Sequence, residues 1–450
     1  MVFRKVLLLM LLCLSSTILL PSRFLEAKTE GNIIRVPNDF STIQEAIDRA
    51  NPGGTVIVNV GVYHEHLAVN KTLSLIGADR MGTVIDADKN GTAVTVSADN
   101  VFVDGFTLRD GGGGDIFSAG IFLNESSNCT VSDNIVTSNA FTGIYLYKSS
   151  NNTIRNNVVP SNGFGPYDGF ESGAGASIAL IECNGNTVSG NVVSDSLYFG
   201  INVDHSNDTL IEENVMKDNG PFTTILTHCN AVILHHNCFL DSDGVYVAPN
   251  SYNISWDDDM KGNYWAGYTG LDDGSNGRVA GDGVGDTDLS FIGLDNYPLI
   301  NPPIPIQVLW QNVPYPVTLR GNSTISSFDF SQTDKQVSFG VTGPMNTTGY
   351  FNLSIPTSLL SGPWTILLDR ADVTSKAMIT ENQTYTTIRL SYNHSSHSIQ
   401  MIGTQVIPEY LTATTLLLLL VFTLPLTTLA AKKREKNKHM PIRKSKIVLA

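Results

Sequence analysis

His228, Cys229, His235, His236 and Cys238 crowd into one short stretch of the chain. Imidazole and thiolate donors suit Cu or Zn, so a metal centre is the first chemistry to weigh. Strand alternation separates these side chains. Cys238 shares an apolar file with Val158 and Val192, and His235 shares a polar file with Ser132, Arg155, Ser189 and Glu212. Cys229 falls at a corner, so a copper site is not expected. A second candidate is the loop carrying Asp272, Asp273, Asn276, Asp282 and Asp286. Carboxylate and amide oxygens between glycines suit Ca²⁺, although Arg278-Val279-Ala280 interrupts them; a solvated acidic turn is the alternative. A third is a saccharide platform. Phe122 and Tyr145 are expected to stack in one outward column at the ~5 Å strand spacing. Tyr147, Asp204 and His228 share a neighbouring column. Tyr167 and Asp168 lie in an insertion, 160–175, that would fall on the same face. Such aromatics also stabilise neighbouring rungs without any ligand. Glycoside hydrolysis needs two carboxylates at a set separation. Asp104, Asp110, Asp115, Asp168 and Asp204 could supply them, but no catalytic pair is marked.

The elements that position these residues follow from a repeat. Asn134, Asn157, Asn191, Asn214 and Asn237 recur at intervals of 23, 34, 23 and 23 along the chain. Ile121, Ile144, Ile178, Ile201 and Ile225 precede them, and Val245 extends the series. A period in the low twenties marks a solenoid. The isoleucines and the residues two positions on (Leu123, Leu146, Leu180, Val203, Thr227, Val247) are expected to point inward, with Ile135, Val158, Val192, Val215 and Cys238 doing the same on later strands. Side-chain amides at the corners would bridge successive coils. Ser41 to Ala50 predicts a short capping helix, with Ser41 and Gln44 as a capping box. Trp256, Tyr264, Trp265 and Tyr268 would close the far end. From 304 to 402 the beat disappears, and short alternating segments predict a β-sandwich with Phe328, Phe339 and Phe351 in its core.

The ends of the chain suggest a cell-surface address. Residues 1–28 read as a signal peptide, with a basic start and a short apolar run. Residues 410–431 read as a membrane helix and 432–450 as a basic cytoplasmic tail, leaving 29–409 extracellular. Setting aside four basic and one acidic residue before position 29, and eight and one after 431, leaves 16 basic against 40 acidic. Such a surface excludes nucleic acid as a partner. Asn-x-Ser/Thr acceptors stand at Asn70, Asn90, Asn124, Asn128, Asn151, Asn207, Asn253, Asn322, Asn346, Asn352, Asn382 and Asn393. Too few cysteines remain for a disulfide framework.

The opening Val36-Pro37-Asn38-Asp39-Phe40-Ser41-Thr42-Ile43-Gln44-Glu45-Ala46-Ile47, the later Gly61-Val62-Tyr63-His64-Glu65, and the closing Gly262-Asn263-Tyr264-Trp265 and Asp295-Asn296-Tyr297-Pro298-Leu299 resemble NosD-like β-helix proteins. The resemblance spans about 33–302. It implies a right-handed parallel β-helix of pectin-lyase type, in a class holding carbohydrate-binding proteins and sugar hydrolases; bacterial members are associated with copper supply. The layout is similar to surface-anchored archaeal proteins. The expected fold is therefore all-β: a β-helix over 33–302, a β-sandwich over 303–405 and a membrane helix. The expected function is non-catalytic binding of polysaccharide or surface-layer glycans. A polysaccharide hydrolase or lyase, and NosD-like copper handling, are the alternatives.

Overall fold

The computed structural model describes residues 32–406 apart from 114–116, 165–174, 242–243, 259, 288 and 290–294. Three long parallel sheets wind around one axis, with ten, eight and nine strands among the described residues. Each coil runs from the eight-stranded sheet to the ten-stranded and then the nine-stranded one. Phe199–Asp204, Asn207–Glu212 and Val215–Lys217 form one such turn before Phe222–Thr227 opens the next.

Alternation places aliphatic side chains on the axis. On the eight-stranded sheet the inner files are Ile121, Ile144, Ile178, Ile201, Thr224 and Val245, then Leu123, Leu146, Leu180, Val203, Leu226 and Val247. Two sequence expectations change here. Thr224, not Ile225, pairs with Ile201, so Ile225 and Thr227 leave the inner files. The corner residues on either side, Ser206 to Cys229 and Asn191 to Asn214, keep the ordinary step, so no residue is inserted. On the nine-stranded sheet, Val136, Val159, Val193, Met216, Phe239 and Trp265 face inward. Ile135, Val158, Val192, Val215 and Cys238 face outward and are nonetheless buried. Their side chains lie beneath the second domain, which is why an outward file is apolar.

Corner ladders hold the coils in register. Asn134, Asn157, Asn191, Asn214, Asn237 and Asn263 form one, each Oδ1 after the first accepting from the previous rung's backbone N–H. Asp295 ends it, its Oδ2 accepting from Asn263 N at 2.9 Å. A carboxylate only accepts, whereas an amide accepts and donates, so a carboxylate terminates a chain of amides. Between the eight- and ten-stranded sheets the ladder is Ser149, Cys183, Ser206 and Cys229. Each hydroxyl or thiol there donates to a carbonyl two residues back.

The helix Ile43–Arg49 covers the first coil with Ile43, Ala46 and Ile47 fully buried. Its N-cap is Thr42 rather than Ser41, accepting from Glu45 N. Glu65, from the coil above, accepts from Ile43 N and Gln44 N at 2.9 Å each. At the other end Phe239 stacks on Trp265 at 4.1 Å, beside Trp256 and Tyr268. Tyr264 turns the other way, and its hydroxyl donates to Ile325 O of the second domain.

That domain has two five-stranded antiparallel sheets over a common core, with Phe339 edge-on to Phe351 and Phe328 also buried. Its Ile306, Val308 and Phe328 pack against Val215, Cys238 and Tyr264. The expected membrane anchor is corrected: no helix among the described residues is long and apolar enough to cross a membrane. The segments 1–28, 410–431 and 432–450 lie outside those residues. The fold class is all-β, a parallel β-helix joined to an antiparallel domain, and no described helix supports the expected single-pass localisation or membrane partner.

Candidate metal centre on the helix corner

The outward file at the C-terminal edge of the eight-stranded sheet reads Asn124, Tyr147, Ile181, Asp204, Thr227. The next residue of each rung turns the corner with positive φ: Glu125, Lys148, Glu182, His205, His228. His228 therefore stacks on His205 rather than sharing a file with Tyr147 and Asp204. Their rings lie 4.0 Å apart at 17°. Both Nδ1 atoms converge on one oxygen, Asp204 Oδ1, at 2.9 Å for His205 and 3.0 Å for His228. Thr227 Oγ1 donates to the same oxygen at 2.6 Å. Asp204 is buried, while both imidazoles are about half exposed. Sequence spacing misses His205 because nothing near it carries metal-ligand spacing; its partner arrives only on the following coil.

Other groups of ligating residues are placed differently. His235 and His236 meet Asp258 at the next corner. His64 Nδ1 lies 2.7 Å from Asp88, but neighbouring Asp86 is taken by Arg109 at 2.8 Å. Cys229 and Cys238 are buried and far from thiolate character: burial pushes them up to about 11 and about 12. Ser395, His397 and Asp369 reproduce triad distances of 2.8 and 2.6 Å. His397 Nε2 also faces Asn393 O at 2.8 Å. A carbonyl can only accept, so Nε2 keeps its proton and cannot act as a base.

In the acidic loop the carboxylates cap backbone amides. Asp286 Oδ2 accepts from Asp273 N and Gly274 N, Asp272 accepts from Gly281 N and Gly283 N, and Asp282 from Val284 N. Asp273 accepts from Ser275 N, and Asn276 donates to Asp286 O. These side chains do the work of turn formation.

Phe122 and Tyr145 stack at 5.0 Å and 14° in the outward file, with Phe117 and Tyr147 alongside. Tyr145 is only 1% exposed, whereas Phe117 is 39% exposed and Phe122 and Tyr147 are half-buried. Phe117 and Phe122 border a groove of about 530 Å³ with His66, Asn90, Thr92 and Thr95. Asp115, Tyr167 and Asp168 lie outside the described residues. Of the glycan acceptors, Asn124 and Asn207 are half-buried and the other ten are exposed.

The family model for periplasmic copper-binding protein (NosD) matches residues 47–270, a span holding the three His/Asp groups found among the described residues. That match corrects the expectation against a copper site. A cell surface glycoprotein of Methanothermus fervidus is 31% identical over 141 residues, covering 31% of this chain and 22% of the relative, so the chain spans about a fifth of that protein's length. Among solved structures, the A-module of an Azotobacter vinelandii mannuronan C-5 epimerase aligns with TM-score 0.39 and 19% identity over 53% of this chain and 78% of that one. A pectate lyase aligns with TM-score 0.37 and 16% identity, covering 53% and 74%. The chain thus carries a NosD-like parallel β-helix, distantly similar to an archaeal cell surface glycoprotein.

Proposed function

We propose that this protein binds a copper-class ion at the corner formed by Asp204, His205 and His228. The convergence of two imidazole nitrogens from adjacent coils on one buried carboxylate oxygen carries this reading. Two nitrogens and an oxygen suit Cu(II), Ni(II) or Zn(II) and not Ca²⁺ or Mg²⁺. Ligands set at right angles around an ion with ~2.0–2.1 Å bonds stand about 2.9 Å apart. The two nitrogens here lie 2.9 and 3.0 Å from the carboxylate oxygen. These are hydrogen-bond distances, and the same two spacings would suit the tetragonal coordination that Cu(II) prefers once an ion replaces the protons between nitrogen and oxygen. Asp204 fixes both rings, the β-helix fixes Asp204, and the exposed imidazoles leave a route from solvent. An ion held there would be bound or handed on without any reaction by the protein. Copper titration of the full chain by calorimetry tests it. Binding should fall at least tenfold in H205A and H228A, while unchanged affinity in the double variant refutes the site.

A second reading rests on a separate observation, the open groove beside Phe117 and Phe122. Apolar ring faces flanked by amide, hydroxyl and imidazole groups suit a sugar's CH face and its hydroxyls. Successive rungs, ~4.8 Å apart, would offer a glycan chain a repeating platform that continues past Tyr147. Glycan-array binding lost in F117A/F122A supports this reading, and silence against every glycan removes it.

A further inference from the structure

At the corner between the ten- and nine-stranded sheets, His235 ends its strand opposite Glu212 and His236 turns with positive φ. Their Nδ1 atoms face each other at 3.2 Å, with ring planes at 84°. Each ring's other nitrogen faces a carboxylate: His235 Nε2 lies 3.8 Å from Glu212 Oε2, and His236 Nε2 lies 3.7 Å from Asp258 Oδ2. His236 Nε2 is buried with no hydrogen-bond partner among the described residues. Asp258 Oδ1 already accepts from Met260 N and Lys261 N, which leaves Oδ2 for the ring.

With both rings neutral, the proton count of this arrangement does not close. Two facing Nδ1 atoms need one proton between them, so one ring carries Nδ1–H. The Nε2 of that neutral ring is then a bare lone pair, directed at a carboxylate. A cation on both Nδ1 lone pairs removes the conflict. Both rings would then carry Nε2–H, and both carboxylates would accept from them. Metal-bound histidines almost always donate their second N–H in this way.

We propose that His235 and His236 form a second metal site, chelating Zn²⁺ through both Nδ1 atoms while Glu212 and Asp258 orient the rings. Zinc takes its ligands at tetrahedral angles, which set them farther apart than ligands at right angles on bonds of the same length. The 3.2 Å between these nitrogens is accordingly wider than the spacing at the Asp204 corner. Water completes the coordination. The site shares no residue with the Asp204 corner, so the two stand or fall separately.

The experiment is Zn²⁺ titration of the full chain, with Co²⁺ as a spectroscopic stand-in whose visible bands intensify in tetrahedral fields. The H205A/H228A variant serves as background, so that ions at the other corner do not contribute. H236A on that background should lose one equivalent and the intense Co²⁺ bands. D258N should keep the stoichiometry and weaken affinity about 10–100-fold, as loss of an orienting carboxylate does. It also guards against misfolding in H236A, because Asp258 is exposed. Unchanged Zn²⁺ binding in a folded H236A overturns the proposal. Complete loss of the equivalent in D258N overturns the Nδ1 chelate, because Asp258 would then be a ligand itself.

Discussion

Asn214→Ala tests whether the corner ladder holds the β-helix together. Asn214 is fully buried. Its Oδ1 accepts from Asn191 N at 2.9 Å and Asn191 Nδ2 at 3.0 Å. Its Nδ2 faces Val188 O and Glu212 O at 2.9 Å each and Asn237 Oδ1 at 3.0 Å. Truncation leaves the Asn191 N–H and the Val188 carbonyl buried without these partners. Each orphaned group costs about 1–3 kcal/mol, so the loss should be about 4 kcal/mol. Urea unfolding followed by far-ultraviolet circular dichroism reads it as a lower midpoint at unchanged slope. Asn214→Asp sharpens the test. The carboxylate keeps both acceptor bonds but, when ionised, has no proton to give Val188 O or Asn237 Oδ1. The protonated acid restores one donor, so the folded state would raise this group's pKa. The stability it contributes would be present at low pH and lost as pH rises through that value. A loss below about 1 kcal/mol in N214A would show that the ladder merely accompanies the coil stacking.

Three further outcomes follow from individual positions. Thr224 sits in an otherwise aliphatic inner file, fully buried, with its hydroxyl facing only Met216 Sδ at 3.6 Å. T224V should raise stability by about 1 kcal/mol in the same unfolding assay, and a loss would show the hydroxyl has a better partner. Cys229 occupies a ladder position that serine fills at Ser149 and Ser206. C229S should therefore change stability by less than about 1 kcal/mol and leave copper stoichiometry intact. Burial pushes Asp295 up to about 6, against the pull of N–H groups from Trp265, Asn263 and Tyr297. The native state then holds this proton more tightly than the unfolded chain, so the contribution is fullest below about pH 4 and is lost as pH rises through about 6. Measured against D295N, the wild type should lose about 3 kcal/mol between about pH 4 and 7, and a flat difference would place the charge in a better-solvated setting.

How much of this was legible in sequence depended on whether a residue's neighbours belong to the repeat. The Asn ladder, the isoleucines from Ile121 to Ile201 and the Phe122–Tyr145 pair all recur at the coil length, so spacing alone placed them, whereas Ile225 falls one residue off the beat. The apolar file from Ile135 to Cys238 did not announce its direction. A buried exterior and a buried interior look alike when a second domain covers one face. Alternation from Asn134, whose amide must reach the next coil's corner, would have put Val136 inside and Ile135 outside. The acidic loop is ambiguous in sequence for a different reason. Carboxylates that cap backbone N–H groups and carboxylates that hold a cation use the same residue types between the same glycines.

The metal corner shows how far one residue of register reaches. Anchoring the fifth rung on Ile225 put His228 in the file of Asp204, where it could only have been a lone imidazole beside a carboxylate. Anchoring it on Thr224, as the regular step from Ile201 requires, moves His228 one place along, into the corner file. There it lands on His205, and two histidines a full coil apart become one donor pair over a shared oxygen. The sequence separation that hides the pair also makes it rigid. Each ring is fixed by a different coil, and moving them apart would break the parallel pairing of Asp204 with Thr227. Exchanging two adjacent residues tests this directly: T227H/H228T keeps the composition but moves the imidazole one place back, into the file of Asp204 and off His205, and should weaken copper binding at least tenfold. Copper binding unchanged in that exchange would mean that the histidines act independently of the coil geometry.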